Sequence, residues 1–236
     1  MRHFKIFIPW WLRIASKIVL SRLPINYRLW KTFRLFEHGD MNLPERALKT
    51  FLMHAGTVGA LDSSGKKFNR DIASDSEFNV LELGPGDSLF GGLIAYSLGA
   101  SRTWLVDTGN YATIDPKSYG SMIDYLFNRS YLHSKLNISS FDDFLSLTHT
   151  TYLTEGVSSL KNIPDKSIDF CFSNAVLEHV NSSELYLLIM ELKRILKRSS
   201  LSCHRVDLKD HLGGGLNNLR FSRRRWESQL FKETLN

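Results

Sequence analysis

Short apolar runs alternate with helical patterns from Phe78 onward. The apolar runs predict strands at 79–83, 103–106, 150–154, 168–173 and 201–206. Helical spacing between them predicts helices at 89–98 and 183–197 and a longer helical and loop region at 118–147. Strands that alternate with helices are typical of a mostly parallel sheet covered by helices on its faces. We therefore predict an α/β, Rossmann-like fold for this part of the chain.

The residues before this region follow a different pattern. Basic and apolar residues alternate at helical spacing over 25–36, and a further helix is predicted to start at Pro44 and run to about His54. Residues 56–76 are polar and contain Gly and Ser, which predicts a loop. We therefore divide the chain into a helical N-terminal extension, 1–75, and an α/β domain, 76–236.

Residues 4–20 are rich in aliphatic and aromatic side chains, including Trp10 and Trp11. Pro9, Arg13 and Lys17 interrupt this stretch, so we do not expect it to span a membrane. A secretory signal is not expected either, because no small-residue cleavage site follows. Two interpretations remain open. The segment forms an amphipathic helix that makes peripheral contact with a membrane surface, or a helix that packs on the domain.

Composition limits the number of domains and the setting in which the protein works. A chain of 236 residues with 43% hydrophobic and 23% charged residues is typical of one globular domain with appendages. The net charge of +6 is modest; surface solvation is the commoner explanation of such a charge, and anionic membranes or acidic partners are the alternatives. Cys171 and Cys203 lie in apolar segments without zinc-like spacing, which predicts buried thiols in a reducing, cytoplasmic setting.

The turn after the first predicted strand carries the clearest chemical signal. Gly84 and Gly86 bracket a proline, so that a ligand can lie against bare backbone and the amides that open the next helix can face it. Leu89 stands where a dinucleotide fingerprint has its third glycine, so the fit to NAD or FAD is poor. Glu82 precedes the turn, and a carboxylate there suits an ammonium or sulfonium group better than a phosphate.

This turn resembles motif I of the class I S-adenosylmethionine-dependent methyltransferases. A second run, 163–180, is similar to a more specific segment of that family: a Pro-Asp-x-Ser entry, the fourth strand, and an Asn-x-x-Leu-Glu-His exit at 174–179. The resemblance covers about residues 78–207. It implies S-adenosylmethionine as the cofactor and a site at the carboxyl ends of the strands.

The resemblance also implies which residues hold the cofactor. Asp107 ends the second strand, where an acidic side chain can accept both hydroxyls of a ribose, although a strand-end Asp can instead cap its own turn. The Gly-Asp pair that often follows the third strand is here Gly156-Val157, so backbone groups or Ser158 would hold the adenine. The predicted cofactor-binding residues are Glu82, Gly84, Gly86, Asp87, Asp107, Ser158 and Asn174.

Three histidines are candidates to bind the acceptor or remove its proton, because the pKa of imidazole lies near neutral pH. His179 falls on the exit loop of strand four, and His204 and His211 lie at the end of strand five near Asp207 and Asp210. Ordinary packing or loop hydrogen bonding is the alternative for each of them. Their spacing is not decisive for a metal, and we predict none. The basic run 220–225 is interpreted as a solvated basic helix face, and the alternative is that it grips an anionic acceptor.

A narrower similarity points to the acceptor. Segments 84–89, 105–109 and 204–211, with 22–24, Trp30 and 38–39, resemble bacterial methyltransferases associated with polysaccharide or glycan biosynthesis. That resemblance implies O-methylation of a glycan or small-molecule hydroxyl. Amino-directed nucleic-acid enzymes carry Asn/Asp-Pro-Pro-aromatic after strand four, whereas this chain reads Ser-Asn-Ala-Val at 173–176, so no nucleic acid partner is expected. The oligomeric state is not predicted.

Two departures from the family pattern keep alternatives open. The helix before strand five ends in Lys-Arg-Ser-Ser at 197–200 instead of Lys-Pro-Gly-Gly, so its turn would form without glycine. Few residues follow Asp207, whereas the family sheet has seven strands, so the chain looks C-terminally short. A non-catalytic or inactive binding protein of this fold is therefore the alternative function. An NAD-dependent oxidoreductase fits the residues less well.

Overall fold

A computed structural model describes residues 9–22, 41–72, 77–112, 115–210, 212–213, 215–226 and 228–231. These residues belong to two compact units. The larger unit lies within residues 38–205, and the smaller unit combines residues from before position 38 with residues from after position 205.

The larger unit contains a five-stranded sheet in which every pair of neighbouring strands is parallel, in the order β3-β2-β1-β4-β5. The strands are β1 (Asn79–Leu83), β2 (Arg102–Val106), β3 (Thr150–Leu153), β4 (Ile168–Asn174) and β5 (Leu196–Arg205). The predicted Rossmann-like α/β fold is therefore confirmed.

Helices cover this sheet and also form part of the smaller unit. They are α1 (Trp10–Leu20), α2 (Pro44–Thr57), α3 (Phe90–Ser97), α4 (Pro116–Asn128), α5 (Phe141–Leu147), α6 (Ser182–Ile195) and α7 (Arg223–Trp226). Short 3-10 helices lie at Arg70–Ile72, Gly156–Asn162, Leu177–His179 and Asn217–Arg220. Side chains cap three of the α-helices: those of Asp115, Ser140 and Asn181 accept backbone N–H groups in the first turns of α4, α5 and α6.

One face of the sheet packs against α2, α3, α4 and α5 through a core rich in phenylalanine. Phe170 and Phe172 alternate along β4 and so point to this same face, where the ring of Phe51 on α2 lies 5.0 Å from that of Phe172. Helix α2 falls in the predicted N-terminal extension, yet it supplies core residues to the larger unit. The division of the chain at residue 75 stays a prediction.

The other face packs against α6 and the 3-10 helix Gly156–Asn162. Leu81 and Leu83 on β1 point this way and meet Leu188 of α6 and Leu160 of the 3-10 helix. Because β1 is buried on both faces, its sequence is almost continuously apolar rather than alternating.

The predicted turn at 197–200 is wrong. Helix α6 passes directly into β5, and the extra residues are taken up by an irregularity in the pairing of β4 with β5. Lys197 is buried here, with its Nζ 2.9 Å from Oδ2 of Asp169. The same Asp169 oxygen accepts the backbone N–H of Asn79 at 2.8 Å. The ion pair therefore lies where helix α6 passes into β5.

The smaller unit has its own small core, formed by Ile14 of α1 with Leu212 and Phe231. The carboxylate of Asp210 accepts backbone N–H groups of Gly213, Gly215 and Asn217, which fixes the loop between them. No helix within the described ranges is long and apolar enough to cross a membrane. The predicted helix at 25–36, with Trp30, and the turn at 38–39 lie outside the described residues.

Candidate functional site

The Gly-Pro-Gly turn lies at the carboxyl end of β1, between the ends of β2 and β4. Gly84 has a φ of +67°, and its N–H donates to the carbonyl of Val106 at 2.8 Å. A Cβ at this position would collide with Cγ2 of Val176, which follows β4. Both the backbone conformation and the close approach therefore require glycine.

Gly86 has the same φ of +67°, but a Cβ here would meet nothing within 4 Å. Its N–H donates to Oδ2 of Asp107 at 2.9 Å, and the N–H of Thr108 donates to Oδ1 of the same carboxylate at 2.7 Å. Asp107 is thus held in place beside an open surface of bare backbone. A carboxylate oxygen can accept more than one hydrogen bond, so these two amide contacts do not by themselves prevent hydroxyl groups from binding. This arrangement fits the ribose role predicted for Asp107.

Glu82 lies beneath the first turn of α3, where Gly91 leaves room for its carboxyl group. Among the described residues, its Oε2 has no hydrogen-bond partner. It lines a cavity of about 10 Å³ together with Phe51 and Phe172, which is room for about one water molecule. Burial, followed by the nearby charge of Asp107, raises the pKa of Glu82 to about 8. The side chain is therefore mostly neutral at pH 7, and a cation beside it would favour ionisation.

The remaining predicted cofactor residues lie around the same edge. Asp87 lies in the turn between β1 and α3. The chain after β3 is joined to the end of β2 by a hydrogen bond of 2.8 Å from the N–H of Gly156 to the carbonyl of Asp107. Ser158 is exposed in the 3-10 helix that follows, whereas its neighbour Ser159 is buried and accepts the N–H of Glu155. A contact of Ser158 with adenine stays a prediction.

Asn174 ends β4 and contacts a histidine that the sequence analysis missed. The Oδ1 of Asn174 lies 3.4 Å from Nε2 of His54, and Nδ1 of the same ring lies 3.2 Å from Sγ of Cys203 on β5. His54 is completely buried, and this burial lowers its pKa. The signal was present in the sequence, because His54 follows Phe51 by three residues and so falls on the apolar face of α2.

The structure separates the three candidate histidines. Nδ1 of His204, on β5, lies 2.8 Å from the hydroxyl oxygen of Ser173 on β4. Burial, followed by the charge of His54, lowers the pKa of His204, so it is neutral at pH 7. His179 is exposed at the end of the 3-10 helix Leu177–His179. His211 lies outside the described residues.

The two carboxylates that the sequence places near strand five, Asp207 and Asp210, belong to the smaller unit. Hydrogen bonds from backbone N–H groups outweigh the effect of burial and lower the pKa of Asp210, which is consistent with its place in a loop. Within the described ranges, no three His, Cys, Asp or Glu side chains come together in a way that could hold a metal ion.

Comparison with known protein families gives a match to part of the chain. A family described as "Methyltransferase domain" matches residues 128–203, from the end of α4 into β5. No curated protein matches the chain. The matched segment includes the Asn174–His179 exit of β4 but not the glycine turn, so the turn and the match are separate observations. The match, the turn and the parallel sheet each agree with a methyltransferase domain of the kind that uses S-adenosylmethionine, and the match covers less than half of the chain.

Several solved structures are similar to parts of the chain. The PH0226 protein from Pyrococcus horikoshii OT3 has a TM-score of 0.42 and 16% identity, covering 75% of this chain and 62% of that protein. The DhpI–SAH complex has a TM-score of 0.34 and 18% identity, covering 73% of this chain and 72% of DhpI. The mitomycin 7-O-methyltransferase MmcR has a TM-score of 0.37 and 14% identity, covering 88% of this chain and 58% of MmcR. This chain therefore spans less than two thirds of the length of the Pyrococcus protein.

Proposed function

We propose that this protein is an S-adenosylmethionine-dependent methyltransferase that methylates a hydroxyl group of a glycan or another small molecule. The observation that carries the proposal is the open surface at Gly86 beside the fixed carboxylate of Asp107. A side chain at position 86 would fill this space, and the carboxylate is oriented by two backbone amides before any hydroxyl reaches it.

The cofactor supplies an electrophilic methyl group on a sulfonium centre. Asp107 would hold its ribose, and the backbone at Gly84 and Gly86 would lie against its amino-acid part. The orphaned oxygen of Glu82 is a suitable acceptor for a positively charged group. Asp87, Ser158 and Asn174 complete the proposed set. The geometry supports the roles of Asp107 and Glu82, and the roles of Asp87, Ser158 and Asn174 stay predictions from the sequence.

His204 is the best placed of the three predicted bases. Its Nδ1 is engaged by the Ser173 hydroxyl, which leaves Nε2 to accept a proton from an acceptor hydroxyl. Because its pKa is lowered, the ring is in the neutral form that a base requires. His179 is exposed and would serve only if the acceptor covered it.

The glycan or small-molecule acceptor and the cytoplasmic location both belong to this proposal. The hydroxyl acceptor is supported by the narrower sequence similarity and by a neutral histidine at the sheet edge. A reducing compartment is supported by Cys171 and Cys203, neither of which forms a disulfide.

A matched pair of glycine variants tests the cofactor site. Gly65 and Gly86 both have a φ of +67° and space for a Cβ, so Gly65→Ala and Gly86→Ala impose the same backbone strain. We expect S-adenosylhomocysteine to raise the melting temperature of the wild type and of Gly65→Ala, but much less that of Gly86→Ala. If S-adenosylhomocysteine raised the melting temperatures of both variants equally, the result would contradict a cofactor site at Gly86. Transfer of label from methyl-labelled S-adenosylmethionine to hydroxyl-bearing sugars then tests the reaction itself.

A further inference from the structure

Helix α1 is apolar on two sides, and only one of them is packed. Ile14 is buried in the core of the smaller unit, where Ile18 packs beside it. Another side of the helix exposes what we call the apolar stripe: Trp11, Leu12, Ala15 and Val19. Trp11 is 56% exposed and Val19 is 63% exposed. The helical repeat of 3.6 residues places all four side chains within about one quarter of the helix circumference.

The packed side of α1 is already complete without the stripe. Ile14 shares a buried cluster with Leu212 and Phe231, and the ring of Trp10 meets that of Phe221 edge-on at 6.2 Å. The guanidinium of Arg220 lies 5.1 Å from the centre of the Trp10 ring. The helix is therefore held to its unit by one side, and the stripe is an additional apolar surface that faces solvent.

Basic residues dominate the described part of this unit. Its acidic residues within the described ranges are Asp207 and Asp210, and the carboxylate of Asp210 is occupied by backbone amides. Arg223, Arg224 and Arg225 are all exposed on α7. The remaining basic residues of the described part are Arg13, Lys17, Arg22, Lys209 and Arg220. An apolar stripe in a unit rich in basic residues complements a surface with an apolar interior and anionic groups on its outside, as in an anionic lipid membrane.

We propose that the smaller unit binds anionic lipid membranes, with α1 lying in the interface and its apolar stripe inserted at the level of the head groups and upper acyl chains. Tryptophan is favoured at this depth because its ring is apolar and its N–H stays hydrated. The arginines would contact lipid phosphates. An anionic membrane attracts these cationic side chains, whereas a neutral bilayer attracts them only weakly. This inference rests on α1 and α7 and is independent of methyl transfer.

The test uses the full chain and two kinds of vesicle, one of phosphatidylcholine alone and one containing about 30% phosphatidylglycerol. Flotation should show binding to the anionic vesicles that weakens as salt is added. The double variant Trp11→Glu/Val19→Glu should bind at least tenfold more weakly. Replacing Arg223, Arg224 and Arg225 by Gln should weaken binding by about fivefold for each residue that reaches the head groups.

Leu187→Glu is the control, because Leu187 is 55% exposed on α6 of the larger unit and receives the same negative charge that each single substitution of the double variant introduces. It should bind vesicles as the wild type does. Far-UV circular dichroism of each variant separates lost binding from lost folding. Brominated lipids should quench the tryptophan emission of the wild type, and less so that of Trp11→Phe, which remains apolar.

Three results would overturn the proposal. The first is absence of binding to anionic vesicles, and the second is a loss in Leu187→Glu as large as that in the double variant. The third is that the wild type forms a concentration-dependent dimer in analytical ultracentrifugation and does not bind vesicles, while the double variant is a monomer. That result would assign the apolar stripe to a second copy of the chain.

Discussion

Replacing Lys197 by Met should strongly destabilise the larger unit. The Lys197 side chain is 7% exposed and that of its partner, Asp169, is 2% exposed, with 2.9 Å between Nζ and Oδ2. Met has a similar length and can fill the same space, so the substitution removes the charge without opening a large cavity. Asp169 would then keep the N–H of Asn79 as a hydrogen-bond donor, while its Oδ1 has no hydrogen-bond partner among the described residues.

The magnitude follows from leaving a carboxylate buried without its counter-charge. Breaking a buried ion pair from one side costs about 3–5 kcal/mol, whereas replacing both partners by apolar groups is often close to neutral. We therefore expect Lys197→Met to lower the free energy of unfolding by about 3–5 kcal/mol. The double variant Lys197→Met/Asp169→Leu should recover most of this loss, apart from the hydrogen bond to Asn79, which is worth about 1–3 kcal/mol.

Urea unfolding followed by circular dichroism measures both variants, provided that the slope of each transition matches that of the wild type. A loss below 1 kcal/mol in Lys197→Met would refute the reasoning, because it would mean that water or another cation reaches Asp169. Additive losses in the double variant would also refute it, since the two side chains would then not be coupled.

Three further predictions concern the sheet edge. The pKa of Glu82 is about 8 in the folded protein against an ordinary 4.5, so the contribution of Glu82 to stability falls as pH rises between these values. Denaturant unfolding should therefore show Glu82→Gln gaining stability relative to the wild type from pH 5 to pH 8. A difference in stability that does not change with pH would contradict this. His204→Gln should lower kcat by about 10²–10⁴-fold. The wild-type rate should fall only below the ordinary imidazole pKa, whereas an unchanged kcat in the variant would remove the proposed base. Gly86→Ala should lower the free energy of unfolding by about 1–2 kcal/mol, measured with a chemical denaturant. Gly84→Ala should lower it clearly more, because only at Gly84 does the new methyl group collide with a neighbouring side chain. Equal losses would show that Val176 moves aside.

The sheet was predictable because its central strands are short apolar runs bounded by turn residues. Strand β1 was predicted with the observed bounds, and the turn after it was predicted because glycines that bracket a proline after an apolar run mark a sharp turn. The bounds of β5 were wrong at its start. Lys197 was predicted at the end of a helix and the start of a turn, and only the three-dimensional position of Asp169 makes a lysine acceptable inside the sheet.

The site was predictable only in part. Asp107 was predicted as a site residue because parallel strands end at the same edge as the turn; its carboxylate accepts the N–H of Gly86, while its role toward a cofactor stays a prediction. The contacts of His54 were not predictable, since they depend on which face of the sheet α2 covers, and the spacing within α2 gives only the buried side of the helix. The neutral state of Glu82 was missed for a related reason, because its burial comes from α2 and α3.

Calorimetric titration of the purified chain with S-adenosylhomocysteine tests the central claim most directly, with NADH as the control ligand and Asp107→Ala as the control variant. We predict micromolar binding of S-adenosylhomocysteine, no binding of NADH, and loss of the binding heat in the variant while its circular dichroism spectrum stays that of the wild type. Absence of binding by the folded wild-type chain, or equal binding by Asp107→Ala, would contradict the assignment of this sheet edge as a cofactor site.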